Sequence, residues 1–318
     1  MAAGAKRITL ANLKSYWYIY LLVVPSAVVL GLFAYYPAAS ALYHAFFRWN
    51  GDYVNEFVGL ANFVEAFRDP VLHWGFLVIF ILIAANLIKM IPSIVAAVVI
   101  HRLASPKASY LYKVLFVVPM IIPWMVGLLI WKFFYDPSVG ILNKLLDATG
   151  GMWLLQRIDA LFNWGVFVEG VNPVWLGDAK LVIPALILWG FPWVGVVGVL
   201  LYLAGLQSID ESVYEAAEID GVGWFKKFLY IELPLILTQV RLNLILMIIA
   251  TLKGYGLIYV LFGTSGGPKG VAMVPGLYMF KNAFETGRAG YACGIGFILF
   301  MFILILTEIN NRYVRVKK

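Results

Sequence analysis

Three groups of residues have types or spacings that chemistry could use. Gly263-Thr264-Ser265-Gly266-Gly267-Pro268-Lys269-Gly270 has the glycines and lysine of a phosphate cradle. It lacks the G-x-x-x-x-G-K-[ST] spacing that wraps backbone N–H groups around phosphates, and reads as a flexible outer loop. His44, His73 and His101 are scattered, with no H-E-x-x-H pattern, and no G-x-S-x-G turn occurs, so zinc chemistry and serine hydrolysis lack support. Cys293 is the only cysteine, which excludes an intrachain disulfide and a cysteine metal cluster. The third group is Lys89, Arg241 and Lys253, cations in or near long apolar runs, where an ionisable side chain usually faces a cavity or a partner. Lys253 stands beside Tyr255, with Asn243 in the same run, and donors beside aromatic rings suit a polyhydroxylated ligand; an ion pair with a neighbouring subunit, or snorkelling, fits it too. Lys89 sits similarly near Asn86, and Arg241 reads as a snorkelling helix-end residue. Trp189, Trp193 and Tyr202 pack between helices, face lipid or line a path.

The elements that must hold these residues are membrane helices. Of 318 residues 63% are hydrophobic and 13% charged, against about 25% charged in soluble domains, so lipid is the solvent. The formal charge of +7 is scattered between apolar runs, not gathered on a basic face for nucleic acid. Six runs reach the roughly 20 residues a span needs: 16–37, 75–100, 113–134, 181–205, 238–262 and 291–311. The first is too long for a signal-peptide core and has no small-residue cleavage site after it, so it reads as a retained anchor. Lys6, Arg7, Lys14, Arg102, Lys107, Lys113, Lys226, Lys227 and the Arg312–Lys318 cluster put both termini inside. Segment 135–180, with Trp153, Trp164 and Trp175, is long for a structureless loop and predicts short amphipathic helices on the outer surface. Gly290 and Gly294 form a GxxxG pair suited to close helix approach.

The inner segment 206–237 is the most informative. Ser208 and Glu211 have capping-box spacing, and Gly221 supplies a left-handed stop, which predicts a helix over 209–220. Ile209, Val213, Ala216 and Ala217 form its apolar stripe, with Glu211, Glu215 and Glu218 largely off it. A helix this short needs a surface to dock on. A second segment, with Trp224, Phe225, Phe228 and Leu229 apolar and Lys226 and Lys227 polar, leads to Pro234, which bends the chain back towards the membrane. The bland alternative is an amphipathic loop lying on headgroups.

At these residues the sequence resembles a known family. Glu215-Ala216-Ala217, then Gly221, then Ile231 and Leu233-Pro234, with Tyr214 and Asp220, resembles the EAA loop of permeases of binding-protein-dependent ABC importers. Val222 and Thr238 depart mildly, standing where Ala and Pro are common. Leu115–Pro119, Trp131 with Asp136-Pro137 and Gly140–Asn143, Leu203–Gln207, Leu252-Lys253, Ile258–Leu261 and Gly266–Pro268 look like the carbohydrate branch, similar to the first permease of maltose and glycerol-phosphate type systems. Gly256 replaces an Asp often found there.

The resemblance implies an all-α polytopic protein with six transmembrane helices and the type I ABC importer permease fold. Its parts would be 1–74 (tail, first helix, outer loop), a core at 75–313 holding the coupling loop 208–234, and the tail 314–318. The implied partners are a second, related permease, two cytoplasmic ATPase subunits, an extracytoplasmic solute-binding protein and the bilayer. No cofactor would be bound by this chain; ATP and Mg²⁺ would sit on the ATPase. The expected place is a bacterial or archaeal plasma (inner) membrane. Glu215, Ala216, Ala217, Asp220, Gly221, Ile231, Leu233 and Pro234 would couple to the ATPase, and Lys253, Tyr255, Asn243, Trp193 and Trp189 are candidates for the solute path. An ion-coupled secondary transporter or a stand-alone membrane enzyme is the rival; a proton-driven carrier favours buried Asp or Glu in its spans, and these runs hold essentially none.

Overall fold

The structure, a computed structural model, describes residues 17–313. It is mostly helical, and its chain divides into two units: residues up to Ala66 with Asn282–Phe297, and Phe67–Lys281 with the remainder. Four helical stretches are long and apolar enough to cross a membrane, Leu21–His44, Pro70–His101, Leu237–Ser265 and Ala289–Asn310, and up to six if each of two bent pairs counts as one span.

In the first unit, α1 (Trp17–Leu30) runs through a π turn at Gly31–Tyr35 into α2 (Tyr36–His44). None of the most apolar window of this span is buried, so its Leu, Val and Phe side chains need an apolar surrounding outside the chain. A hairpin that periodicity did not reveal follows, β1 (Phe47–Trp49) antiparallel to β2 (Asn55–Phe57), with Arg48 opposite Glu56. Strands of three residues are too short for alternation to register. Asn62, on α3 (Ala61–Ala66), anchors the hairpin by donating to the carbonyls of Ala45 and Phe47, both at 2.9 Å.

The second unit is built on α4 (Pro70–His101), a 32-residue helix capped by Asp69, whose carboxylate accepts from the N–H of Val71 at 2.8 Å. Ser105 caps α5 (Pro106–Val117), which ends in a 3₁₀ turn. Pro123 then forces Ile122 into extended backbone, and α6 (Trp124–Phe134) leaves at 90°. The predicted run 113–134 is therefore a bent pair and not one straight helix. Segment 135–180 does form short helices, α7 (Ile141–Ala148) and α8 (Gly151–Phe162). Leu142, Met152 and Trp175 are buried together there, and the Trp175 indole donates to Asn143 at 2.7 Å.

The predicted run 181–205 is broken. α9 (Val182–Leu188) stops, Trp189–Gly195 is non-helical, and α10 (Val196–Gln207) resumes. Pro192 has no N–H for a helix ladder, and Gly190 and Trp193 take φ of +79° and +61°, outside the helical region. α11 (Glu211–Ile219) turns 75° from α10. α12 (Trp224–Lys227), a π turn and α13 (Leu233–Leu235) lead to α14 (Leu237–Lys253), α15 (Gly256–Phe262), α16 (Pro275–Phe284) and α17 (Ala289–Tyr313). Along α4, Val78 and Ile79 join Val182, Leu186, Leu252 and Ile258 in one core; Ala97, Val98 and Ile100 join Val199, Tyr202, Leu206 and Ile236 in a second. Glycines allow the close packing that lipid-embedded helices rely on: a Cβ on Gly198 would lie 3.3 Å from Asn243 and 3.4 Å from Ser93.

Candidate functional site

Two places have the geometry of a working site, and α4 reaches both. The first is the elbow between α10 and α14. Its helix starts later than predicted: Ser208 closes α10 by donating to the Gly205 carbonyl at 2.7 Å, and Asp210 is the N-cap of α11. The Asp210 carboxylate accepts from the hydroxyl and N–H of Ser212 at 2.6 and 2.9 Å, and these bonds hold its pKa below the usual carboxylate value. Asp outcompetes the predicted Ser208–Glu211 box because its short carboxylate reaches the second amide of the new helix. The stop is as predicted. Gly221 takes φ +66°, its N–H donates to Glu218, and the Val222 N–H donates to Ala217 at 3.0 Å, a Schellman closure.

Ala217 is buried and Ile209 and Val213 are half-buried, whereas Ala216, predicted on the same stripe, is exposed. Its 100° offset from Ala217 puts it on the far flank. Glu215, Ala216 and Ile219 therefore form an outer face, with Ile219 87% exposed. Asp220 and Pro234 are exposed, and Ile231 and Leu233 are half-buried.

The elbow is held by two residues outside the motif, Arg102 and His101, acting on side chains within its span. Glu232 is fully buried and receives both Nε and Nη2 of Arg102, at 2.9 and 2.6 Å. The same guanidinium donates to the Trp224 carbonyl at 3.1 Å and lies over the Trp224 ring, 4.5 Å from its centre. His101 and the Tyr214 hydroxyl are 3.1 Å apart, and Lys227 binds Glu218 at 3.2 Å while approaching the Tyr214 ring. Burial, helped by the Glu232 charge, pushes the Tyr214 hydroxyl up to about 12. A planar, two-pronged guanidinium suits this task better than an ammonium.

The second place is a cavity of about 760 Å³ at the break between α9 and α10. Trp189, Trp193 and Asn243 line it, as does Lys89; Lys253 and Tyr255 do not. Lys253 ends α14 and is exposed, and Tyr255 packs face to face with Phe280, 5.5 Å between ring centres. The cavity's cation is thus Lys89. Its ammonium donates to the carbonyls of Leu186 and Trp189 at 3.4 and 3.3 Å, and one turn along α4 Ser93 accepts from the N–H of Gly195 at 2.9 Å and donates to the carbonyl of Trp193. Two side chains of α4 thereby satisfy backbone groups that the helix break releases, as irregular backbone at membrane depth requires. Asn243 donates to the buried Tyr202 hydroxyl at 2.6 Å, and Asn86 to Thr251 at 3.0 Å. Tyr202 is a packing residue, while Trp189 both packs, on Trp131 and Tyr135, and faces the cavity.

Comparison with known proteins agrees with this architecture. Residues 91–315 match the family model described as binding-protein-dependent transport system inner membrane component. The sulfoquinovosyl glycerol transport system permease protein SmoG of Agrobacterium fabrum is 27% identical over 306 residues, covering 93% of this chain and 90% of the relative. The lactose transport system permease protein LacF of Rhizobium radiobacter is 26% identical over 316 residues, covering 97% and 98%. A crystal structure of a bacterial ABC transporter involved in import of the acidic polysaccharide alginate contains a chain that superposes with TM-score 0.77, at 20% identity, over 97% of this chain and 99% of that one.

Proposed function

The chain belongs to the family of binding-protein-dependent transport system inner membrane components, and from that membership we propose that it is one permease subunit of an ATP-driven importer for a sugar-like solute. The permeases it is similar to are named for a sugar-derived glycerol conjugate and for lactose, which supports a carbohydrate-type cargo. The subunit breaks no bond. A second, related permease completes the pathway, an extracytoplasmic binding protein delivers the solute, and two cytoplasmic ATPase subunits bind ATP and Mg²⁺. The chain lies in the inner membrane with both termini in the cytoplasm, which puts the elbow on the ATPase side. Residues 75–313 carry the permease core.

The observation that carries this reading is the mounting of α11. Its outer face of Glu215, Ala216 and Ile219 is free to be gripped, while buried Ala217 and the contact of Tyr214 with His101 seat its other side, beside the Arg102–Glu232 pair that ties the return segment to the end of α4. Closure of the ATPase dimer pushes on the outer face, and Gly221 and Asp220 keep the end of the helix compact under that push. Ile231, Leu233 and Pro234 turn the chain into α14. The mount passes displacement to α4, which also carries Lys89 and Ser93 at the cavity, about 20 Å away over thirteen residues. A cavity whose wall is a broken helix can open to either side in turn, which is alternating access.

The test is uptake by the complete importer in proteoliposomes with its binding protein. Glu215→Lys should leave the assembled complex intact but uncouple ATP hydrolysis from uptake, and Asn243→Trp, which fills the cavity, should stop uptake. Normal uptake in the first variant removes the coupling role, and normal uptake in the second removes the cavity from the path.

A further inference from the structure

Lys89 is the only charged side chain among the residues lining the cavity, and no carboxylate among the described residues pairs with it. Its present partners are two neutral carbonyls at 3.3 and 3.4 Å, beyond the usual N–H···O distance of about 2.9 Å. The Trp193 ring lies 5.9 Å from the ammonium. An ammonium has three donors, so one has no partner and two are held loosely. Carbonyls at the end of α9 offer partial negative charge, enough to keep the cation in place but not to neutralise it. Elsewhere in the chain a buried charge is treated differently: Glu232 is met by a two-pronged counter-ion at 2.6 and 2.9 Å.

We infer that the solute this cavity accepts carries an anionic group, a carboxylate, phosphate or sulfonate on a hydroxyl-bearing body, and that Lys89 is its counter-ion. An oxyanion offers a charge-assisted bond of about 2.8 Å and draws the ammonium from the long carbonyl contacts. Asn243 and Asn86 supply amides for hydroxyls, and the indoles of Trp189 and Trp193 offer faces to a sugar ring. A neutral sugar could accept the hydrogen bonds but would leave the charge uncompensated in an apolar surrounding, which is costly. The inference rests on the cavity being the solute's path, yet its test is separate from the uptake measurement on Asn243→Trp.

In the intact importer in nanodiscs, lysines are ¹³C-methylated, which preserves their charge, and Lys89→Arg identifies the Lys89 signal. D-glucuronate and glycerol 3-phosphate are titrated against their neutral counterparts D-glucose and glycerol. The expected result is a Lys89 shift with at least one anion, at a midpoint at least tenfold below that of its neutral counterpart. In Lys89→Gln, binding of that anion, followed by saturation transfer to its own protons, should weaken to the neutral level. A Lys89 signal that ignores both anions, or that responds equally to the neutral probes, overturns the inference and leaves Lys89 as a cap on the end of α9.

Discussion

Arg102 and Glu232 stand 130 residues apart in sequence and form a two-pronged ion pair whose carboxylate is fully buried and whose guanidinium is half-buried. Arg102 immediately follows α4, and Glu232 lies between Ile231 and Leu233 of the elbow motif. Removing one partner of such a pair strands the other without compensation, at a cost of about 3–5 kcal/mol. Arg102→Ala should therefore lower thermal stability and abolish uptake. Arg102→Lys, which keeps the charge but not the fork, should fall between the two. Wild-type uptake in Arg102→Ala would show that the elbow does not need this anchor.

Gly221 predicts a second contrast. Its φ of +66° costs an ordinary L-residue about 1–2 kcal/mol and a β-branched one more. Gly221→Asn should retain most coupling, because Asn tolerates the left-handed region, whereas Gly221→Val should lose it. Nothing crowds the Cβ position, so backbone strain and not bulk is under test. The ratio of ATP hydrolysed to solute imported measures it; equal ratios in the two variants would discard the strain argument.

Tyr214 fixes an alkaline limit. Its hydroxyl is raised to about 12 from 10.0, first by burial and then by Glu232. A group with a raised folded pKa contributes stability that is whole below the unfolded value and lost as pH rises through the folded one. The mount should therefore hold below pH 10 and loosen between about 10 and 12. The 295 nm difference titration of wild type against Tyr214→Phe should show one hydroxyl with a midpoint near 12; a midpoint at the ordinary value would mean that Tyr214 is solvated.

The paired glycines of α17 should not be equivalent. A Cβ on Gly290 would overlap the carbonyl oxygen of Phe47 in the hairpin, while one on Gly294 would sit 3.4 Å from the Asn62 side chain. Gly290→Ala should destabilise the protein by about 1–3 kcal/mol and Gly294→Ala by much less, read as the shift in thermal unfolding of the purified complex. Equal shifts would mean that the hairpin yields.

The elbow was legible in the sequence because its signals are local: a left-handed stop at Gly221, acids off an apolar stripe, a proline at the return. Its anchor was not, because no periodicity connects Arg102 to Glu232. The cavity was half legible. The residue types at Trp189, Trp193 and Asn243 point to the cavity they line, but the sequence does not separate Lys89, which lines it, from Lys253, which does not, since a charge in an apolar run looks the same whether it ends a helix or faces a hollow. The breaks at Pro123 and Pro192 were printed in the sequence, and hydropathy averaged them away. The hairpin lay below the length at which a pattern can be seen.

The interruption at Trp189–Gly195 is secured from another helix, by Ser93 and Lys89, in addition to its own turn, in which the Trp193 N–H donates to the Gly190 carbonyl at 2.8 Å. A joint latched from its neighbour can be released without unravelling either segment it connects. Changing two positions on α4 would retune how readily that joint swings, leaving the sequence of the joint itself untouched.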